Sequence, residues 1–444
     1  MALITKAVRG TRDVLPHESQ ALRYIERTAL ELAQAYGYAE LRTPVFEHTE
    51  LFERGMGDTT DVVQKEMYTF FDKGGRSVTL RPEGTAGAAR ACLEHGLLAE
   101  ALPCKVSYVL RCYRYEKPQA GRYREFSQFG VECFGAATPA ADAELIALAA
   151  ETLATLSVTD TRVEINSIGC PECRKRYLDA LRAHFAQRQS ELCETCQGRL
   201  EKNPMRILDC KSPVCAGIAT EAPTVLEYIC DACAEHFDGV KRYLDAIALP
   251  YEINPRIVRG LDYYTRTVFE ILSEFPEAKG LVLAGGGRYD GLVEELGGQH
   301  TPSLGFGMGI ERVWLQMQAL QAPLPEKHLC ELYIAAMNSD ALQRAAQLAQ
   351  ELRASGWHVE YDIVGRSLKA QMKYADKIHA KNTVVLGEDE LKNQRAKLKD
   401  MKTGAEELMT LPDFADEFER LMLRRVERDI LEGFGDDVTP FPQP

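Results

Sequence analysis

Charged and polar side chains recur at strand spacing between residues 107 and 135. The stretch SYVLRCYRYEKPQAGRYREFSQFGVECFG has two alternating segments around the loop KPQAGRY, which predicts a long antiparallel hairpin. Arg114 shares a face with Glu116. On the return strand the polar face comprises Arg124, Gln128, Gly130 and Glu132, and the apolar face comprises Phe129, Val131 and Cys133. A face mixing cations and carboxylates fits a charged ligand, and Gly130 leaves an open space there. The alternative is a solvated face.

Alternating glycines mark a second strand. In PSLGFGMGIERV (302–313) one face carries only Gly305, Gly307 and Gly309, and Arg312 follows at the expected start of a helix. A strand without side chains on one face lets a flat group approach the main chain. Close packing of the backbone explains the glycines equally well.

Two further segments combine glycine with tyrosine and acids. RGLDYYTRTVFE (259–270) places Arg259 ahead of Tyr263 and Tyr264, at the start of an alternating strand. LAGGGRYDGL (283–292) is a glycine-rich turn that ends in Tyr289 and Asp290. It is not a P-loop, because no Gly-Lys-Ser/Thr follows.

Eight of the 13 cysteines are grouped in pairs within one region, and these are Cys170, Cys173, Cys193, Cys196, Cys210, Cys215, Cys230 and Cys233. Without a secretion signal, such pairs favour thiolate coordination of zinc over disulfides. Two pairs would close one tetrahedral site, and four would close two. A catalytic zinc is disfavoured because no open coordination position remains. Ordinary reduced cysteines in a helical insertion are the alternative.

Composition and length limit the possible classes of protein. A chain of 444 residues suggests two or three domains, and 45% hydrophobic with 27% charged residues indicates a globular protein. No stretch approaches the roughly 18 apolar residues of a membrane span, so a cytoplasmic location is expected. The net charge of −13 means that nucleic-acid binding would depend on local basic patches.

The order of predicted elements indicates an α+β fold. Apolar spacing predicts a helix over 19–37, and YAELRTPVFEHTELF (38–52) has strand-like spacing. Short strands and helices then continue to about residue 320 without regular βαβ alternation, which favours a mainly antiparallel sheet flanked by helices. Beyond a linker, the chain from 331 alternates strand and helix as a separate small α/β domain, and GFGDDVTPFPQP (433–444) is typical of a disordered tail.

Together these segments resemble the class II aminoacyl-tRNA synthetases. The stretch around Pro44, the Arg114 hairpin and the glycine strand with Arg312 are similar to the three signature motifs of that family. RGLDYYT and GGGRYDGL resemble the two histidine-specific sequences of its histidyl-tRNA synthetases. The resemblance covers residues 8 to 415.

The resemblance implies ATP-dependent activation of histidine and its transfer to the 3′ end of tRNA(His). It assigns Arg114 and Arg259 to catalysis at the α-phosphate. ATP, with Mg²⁺ on its β- and γ-phosphates, would also contact Arg122 and Arg312. Histidine would contact Glu83, Thr85, Gln128, Glu132, Tyr263, Tyr264 and Tyr289. Gln119 occupies the place where the family's hairpin loop approaches the tRNA acceptor end.

The resemblance also implies a domain organisation. Residues 1–168 and 246–318 would form the catalytic domain, interrupted by a cysteine-rich helical insertion at 169–245. A linker at 319–330, an anticodon-binding α/β domain at 331–425 and a tail at 426–444 would follow. A homodimer is implied through the segment around Pro44. Within the last domain Lys369, Lys373, Lys377 and Lys381 recur every fourth residue, which predicts a basic helical face for RNA.

Two departures and two alternatives accompany this interpretation. The insertion varies within the family and often lacks a full set of cysteine pairs, and Ser127 stands where many members carry histidine. One alternative is the non-catalytic paralogue that serves as a regulatory subunit of ATP phosphoribosyltransferase; it lacks the anticodon-binding domain and loses active-site arginines. The other is a zinc-dependent RNA-binding protein, which leaves the ATP-like constellation unexplained.

Overall fold

The computed structural model describes residues 5–57, 60, 62–208, 210–257, 262–325 and 330–433, with side chains up to residue 427. The chain divides into two compact units, Met1–Pro325 and Glu326–Pro444. Arg259, the predicted linker residues 326–329 and the predicted tail residues 434–444 lie outside the described residues.

The first unit is built on a large sheet. Its helices are α1 (Pro16–Ala35), α2 (Thr49–Met56), α3 (Thr85–Glu94), α4 (Leu97–Glu100), α5 (Pro139–Thr155), α6 (Pro171–Ala186), α7 (Glu194–Lys202), α8 (Pro213–Thr220), α9 (Asp231–Ala246), α10 (Leu292–Glu295) and α11 (Ile310–Ala319). Its strands are β1 (Ala39–Glu40), β2 (Phe46–His48), β3 (Tyr68–Phe71), β4 (Ser77–Leu80), β5 (Cys104–Tyr113), β6 (Glu125–Phe134), β7 (Thr161–Ser167), β8 (Glu252–Ile253), β9 (Thr265–Ser273), β10 (Val282–Arg288) and β11 (Ser303–Gly309).

Among the described strands, the large sheet has the order β1-β5-β6-β11-β10-β9-β7-β8. Its inner pairs are antiparallel, and only the edge pairs β1–β5 and β7–β8 are parallel. β2, β4 and β3 form a smaller antiparallel sheet. The expected mainly antiparallel α+β fold is therefore confirmed.

One face of the large sheet is covered by helices, and this leaves the other face for the site. Phe129, Val131 and Cys133 of β6 are buried in one apolar core with Leu304, Phe306 and Met308 of β11. Residues of α1, α5, α9 and α11 complete that core. The apolar faces predicted for β6 and for the glycine strand are thus correct, because alternation forces their polar and glycine positions onto the opposite face.

The strand-like spacing predicted through Phe52 is wrong beyond His48. Strand β2 ends there and α2 begins at Thr49. Phe52 and Met56, four residues apart, lie on one side of this helix and are fully buried with Ala86 of α3. The helical spacing was overlooked because the alternating residues before it dominate the pattern.

The second unit contains a mixed sheet. Its helices are α12 (Ser339–Ala354), α13 (Leu368–Lys377), α14 (Glu388–Asn393) and α15 (Phe414–Gly433), and its strands are β12 (Leu332–Ala336), β13 (Val359–Tyr361), β14 (Asn382–Leu386), β15 (Arg395–Asp400) and β16 (Glu406–Thr410). The described strands have the order β13-β12-β14-β15-β16, parallel among the first three and antiparallel beyond β14.

The predicted alternation of strand and helix is present from β12 to α14, and the antiparallel hairpin β15–β16 follows it. Two expectations for this unit need correction. Lys369, Lys373 and Lys377 lie on α13, but Lys381 follows the end of that helix and is not part of its face. Helix α15 continues to Gly433, past the boundary at 425, because the amphipathic spacing persists beyond it.

A buried ion network joins three elements of the first unit. Arg288, at the end of β10, is fully buried, and its Nη2 lies 2.5 Å from Oδ2 of Asp142 on α5. His236 of α9 lies 3.1 Å from the same carboxylate oxygen, and Asp290 pairs with Arg288 at 3.2 Å. Although burial opposes ionisation, Arg288 and His236 hold the pKa of Asp142 below its usual value.

We expect Arg288→Ala to lower the free energy of unfolding by about 3–5 kcal/mol, because it leaves the buried Asp142 carboxylate without its cation. Urea unfolding measures the difference. Arg182→Ala, which removes an exposed pair with Asp179 on α6, is the control and should cost under about 0.5 kcal/mol. Equal losses in the two variants would contradict the prediction.

Candidate active site

A cleft of about 330 Å³ lies on the face of the large sheet to which β11 contributes Gly305, Gly307 and Gly309. It is lined by the loop between β5 and β6, by β6, β10 and β11, and by the turn before α3. Eight of the predicted site residues line it, and these are Glu83, Thr85, Arg114, Arg122, Gln128, Tyr263, Tyr264 and Arg312. Residues from four separate stretches of sequence thus meet at one place.

Glu132 lies beneath one end of the cleft with no exposed surface. Its Oε1 accepts hydrogen bonds from Thr85 Oγ1 at 2.8 Å and from Tyr108 Oη at 2.7 Å, and its Oε2 accepts one from the Tyr289 hydroxyl. Burial raises the pKa of Glu132 to about 8, although these donors act in the opposite direction. The buried carboxyl is therefore held by three hydroxyls and carries no salt bridge among the described residues.

Tyr108 is a site residue that the sequence analysis missed. Its ring is buried between Gly84 and Gly130, where an added Cβ would lie 2.3 Å and 2.4 Å from ring atoms. The space predicted to be open beside Gly130 is therefore filled by this ring. The hairpin register carries the missing signal, because Tyr108 is paired directly with Gly130 and glycine there must admit a large neighbour.

The glycines of β11 accommodate side chains from the neighbouring strand β6. A Cβ on Gly305 would lie 1.8 Å from Oε2 of Glu132, and one on Gly307 would lie 2.4 Å from Nε2 of Gln128. Gln128 Oε1 in turn accepts a hydrogen bond from the Gly84 amide at 3.2 Å. The bare strip thus lets Glu132 and Gln128 lie against the sheet, and it still lines the cleft.

Glu83 holds the turn that leads into α3. Its two carboxylate oxygens accept hydrogen bonds from the amides of Thr85 at 2.5 Å and Ala86 at 2.9 Å, at the helix N-terminus. Burial raises the pKa of Glu83, and these amides and Arg114 oppose that effect. Both carboxyl groups at this end of the cleft are thus desolvated.

Three tyrosine rings pack together beside Glu132. The ring centroids of Tyr263 and Tyr264 are 4.7 Å apart, and those of Tyr263 and Tyr289 are 5.4 Å apart in an edge-to-face arrangement. All three side chains are buried. This packing fixes the rings, so the walls at this end of the cleft are rigid and aromatic.

The other end of the cleft is cationic. Arg114 donates to Pro82 O at 2.8 Å, and Arg312 donates to Val282 O at 2.8 Å and to Gly121 O at 3.2 Å. Burial, followed by the neighbouring Arg122 and Arg114, lowers the pKa of Arg312. Guanidiniums so crowded remain charged and favour a polyanion between them.

The eight paired cysteines form two separate clusters. Cys170, Cys173, Cys230 and Cys233 form the first, and Cys193, Cys196, Cys210 and Cys215 form the second; within each, the sulfur atoms lie within 4.8 Å of one another. Backbone amides point at the sulfurs, with Cys230 N 3.0 Å from Cys173 Sγ and Cys193 N 3.2 Å from Cys215 Sγ. All eight are free thiols.

Gln119 lies apart from this constellation. It is exposed in the loop between β5 and β6, where its backbone pairs with Arg122.

Among the described helices, none combines the length and apolar character that a bilayer span requires.

Comparisons with known proteins identify the family. The histidyl-tRNA synthetase family model matches residues 10–313, and an anticodon-binding domain model matches residues 331–421. The chain belongs to the histidyl-tRNA synthetase family. It is 52% identical over 404 residues to the histidine–tRNA ligase of Caldanaerobacter subterraneus subsp. tengcongensis, covering 91% of this chain and 97% of that protein. It is 48% identical to that of Clostridium novyi, covering 94% and 99%.

A solved structure gives the same family. Apo histidyl-tRNA synthetase from S. aureus superposes with a TM-score of 0.81 at 38% identity, covering 94% of this chain and all of that one. The class II synthetase fold expected from the motifs is therefore confirmed. The regulatory paralogue and the zinc-dependent RNA-binding protein are not favoured.

We expect Tyr108→Phe to raise the KM for histidine about tenfold or more and to leave the KM for ATP unchanged. The substitution keeps the ring but removes a hydroxyl that is hydrogen-bonded to the buried carboxyl group of Glu132, and leaving such a group without its partner costs about 1–3 kcal/mol. Histidine-dependent ATP–pyrophosphate exchange measures both constants. Tyr177→Phe, which removes a hydroxyl bonded to Pro223 O in the insertion, is the control. Equal changes in both Michaelis constants would contradict a role at Glu132.

Proposed function

We propose that the cleft of the first unit is where this chain, an ATP-dependent histidine–tRNA ligase by family, activates histidine. The observation that carries this proposal is the division of the cleft into two ends. Buried carboxyl groups and tyrosines occupy one end, and three guanidiniums occupy the other. An amino acid with a cationic amino group and a polar ring fits the first, and a triphosphate fits the second.

The chemistry explains why arginines serve here. The carboxylate of histidine is already an anion and needs no general base to attack the α-phosphate of ATP. The difficulty is negative charge that gathers on phosphorus during an in-line displacement, so catalysis consists of positioning and electrostatic stabilisation. Arg114 and Arg259 would hold the α-phosphate from two sides, Arg312 the γ-phosphate, and Arg122 would reach phosphate from the hairpin loop.

ATP with Mg²⁺ is used by this class of enzymes as a substrate. The carboxylates of Glu116, Glu270 and Glu311 line the same cleft and are hard oxygen ligands of the type that Mg²⁺ accepts. We propose that the ion is carried mainly by the phosphate oxygens, near these carboxylates.

The carboxyl and tyrosine end would select histidine. Glu83 and Thr85 would contact its amino group, and Gln128, Glu132, Tyr264 and Tyr289 would line the space for amino group and imidazole, with Tyr263 adjacent. Glu132 would accept a hydrogen bond from one ring nitrogen and a tyrosine hydroxyl would complement the other. A site that pairs both nitrogens rejects analogues by about 10⁴ or more, because they leave buried polar groups unpaired.

The remaining partners are proposed from the family and from chain position. Gln119, exposed in the hairpin loop, would approach the tRNA acceptor end. The second unit would bind the anticodon, with Lys369, Lys373 and Lys377 of α13 contacting phosphate. A homodimer through the segment around Pro44 and a cytoplasmic location complete the proposal.

The domain assignment is proposed on the same basis. Residues 1–168 and 246–318 would form the catalytic domain, 169–245 the insertion and 331 onward the anticodon-binding domain. The helices α6 to α8 fall within the insertion range, and α9 ends one residue beyond it, at Ala246.

We further propose that each cysteine cluster holds a structural zinc ion. Tetrahedral ligands about 2.3 Å from zinc lie roughly 3.8 Å from one another. The sulfur separations of 3.5 Å for Cys170–Cys173, 4.0 Å for Cys173–Cys233 and 3.9 Å for Cys193–Cys210 suit this spacing. Zinc there would stabilise the fold of the insertion and take no part in the reaction, since four thiolates leave no open position.

Arg259→His should lower histidine-dependent ATP–pyrophosphate exchange by about 100-fold or more and change histidine affinity little, because the lost cation acts on charge that develops in the transition state. Exchange kinetics and calorimetric titration with histidine measure the two quantities. Arg182→His on the exposed side of α6 is the control. Loss of histidine binding alone would make Arg259 a pocket residue, and no exchange by the wild-type protein would contradict the proposed function.

Metal analysis of purified protein should find about two zinc ions per chain, one for each four-cysteine cluster. The double variant Cys193→Ser/Cys210→Ser should lose one of them and keep the other. Cys330→Ala, in the second unit and outside both clusters, should retain two. A fully folded wild-type protein free of metal would reject the zinc proposal.

A further inference from the structure

Polar side chains near both cysteine clusters of the insertion contact one residue, Asp262. This residue precedes Tyr263 and Tyr264 and follows the segment that contains Arg259. The residues that contact it from the insertion are Arg174, Asn203 and Arg206.

The first cluster is linked to the main chain of Asp262. Arg174 follows Cys173 directly on α6, and its Nη1 donates to Asp262 O at 2.8 Å. Beside it, Gly169 O accepts from the Arg266 amide at 2.9 Å, and Arg266 O accepts from the Ile168 amide at 2.8 Å. The insertion is therefore hydrogen-bonded to residues on both sides of Tyr263 and Tyr264, namely Asp262 and Arg266.

The second cluster is linked to the side chain of Asp262. Asn203 and Arg206 lie between Cys196 and Cys210, in the stretch that this cluster closes. Asn203 Nδ2 donates to Asp262 Oδ1 at 3.2 Å, and Arg206 Nη2 lies 3.5 Å from the same oxygen. The Arg206 side chain is only 12% exposed, so this ion pair is largely shielded from solvent.

The catalytic part of the unit holds Asp262 from the opposite side. The Asp262 amide donates to Met56 O at 3.2 Å, and a Cβ on Gly57 would lie 2.9 Å from Asp262 Cβ. Tyr263 and Tyr264 share an apolar core with Tyr177 and Leu181 of α6. The insertion and the wall of the histidine end are thus packed as one body around this residue.

We propose that Asp262 is a positioning residue through which the cysteine-rich insertion holds the histidine-specific segment in its active geometry. The proposal rests on the function proposed above, because Tyr264 and Arg259 are the groups that Asp262 would place. A displacement of about 1 Å at such groups can cost about 100-fold in rate. The insertion therefore acts on histidine selection and activation from outside the cleft.

The test compares Asp262→Ala with Asp262→Asn in histidine-dependent exchange. Asp262→Ala removes the acceptor of Asn203 and Arg206 and should lower kcat/KM for histidine about tenfold to 100-fold, with the KM for ATP within about twofold of wild type. Asp262→Asn keeps an oxygen acceptor at the same place and should restore most of that loss. A residue with a purely structural role would change stability without this split between the two substrates.

The control is Asp238→Ala, which removes an exposed aspartate paired with Lys241 on α9 of the same insertion. It should match wild type in all constants. Wild-type exchange in the same assay reports on the proposed function itself, so a silent wild type and an unaffected Asp262→Ala are distinguishable outcomes. Asp262→Ala within twofold of wild type would overturn the positioning role.

Arg206→Ala covers the case in which Asp262→Ala alone fails to fold. It leaves the sequence of the histidine-specific segment unchanged and should lower kcat/KM for histidine about threefold to tenfold, by loosening the same contact. Where Asp262→Ala folds, adding Arg206→Ala to it should produce less than the product of the separate effects if Arg206 acts through Asp262. A wild-type value for Arg206→Ala, or independent effects in the double variant, would reject the proposal.

Discussion

The buried carboxyl of Glu132 is the constraint on which the rest of this site depends. A carboxyl group without exposed surface needs donors for both oxygens, and here Thr85, Tyr108 and Tyr289 supply them from three elements. Gly84 and Gly130 leave room for the Tyr108 ring, and Gly305 leaves room for the Glu132 carboxyl group itself. The glycines of the sheet, which the sequence explains equally well by close packing, are therefore part of how the carboxyl and tyrosine end of the cleft is built.

Burial disfavours the charged form of the Glu132 carboxyl group. Its pKa is raised from 4.5 to about 8, so between these values the folded ligand-free protein holds a proton that the unfolded chain has released. The contribution of Glu132 to stability is present below pH 4.5 and is lost as pH rises through 8. Asp142 behaves in the opposite sense: its pKa is lowered beside Arg288 and His236, and its contribution is lost as pH falls. Glu132 has no charged partner among the described residues and can pair with a ligand, whereas the carboxylate of Asp142 is already paired with Arg288 and His236.

Local periodicity carried most of the fold and part of the site. The hairpin and the glycine strand were predictable because one face of each is apolar at a regular spacing, whereas the helical insertion was expected from its cysteine pairs and from the family resemblance. Tyr108 was not, because its role depends on which residue lies opposite it on the neighbouring strand, and single-strand patterns do not contain that register. The division of eight cysteines into two clusters likewise required the tertiary fold, since four pairs can be grouped two by two in several ways. Helix α2 and the hairpin β15–β16 were missed where short elements compete with a neighbouring pattern.

The arrangement of charge also explains why the insertion interrupts the catalytic unit where it does. It leaves the sheet after β7 and returns at β8, and β7 is paired both with β8 and with β9, the strand that follows Tyr263 and Tyr264. The helices of the insertion contact the segment at Asp262 through Asn203 and Arg206. Met56 and Gly57 contact the same residue from the catalytic part of the unit. Without such support the position of Tyr263 and Tyr264 would depend on their packing with each other and with Tyr289. Asp262 adds contacts to Asn203, Arg206 and Met56, which are not among the residues that line the cleft, so the groups that face the cleft remain available to a ligand.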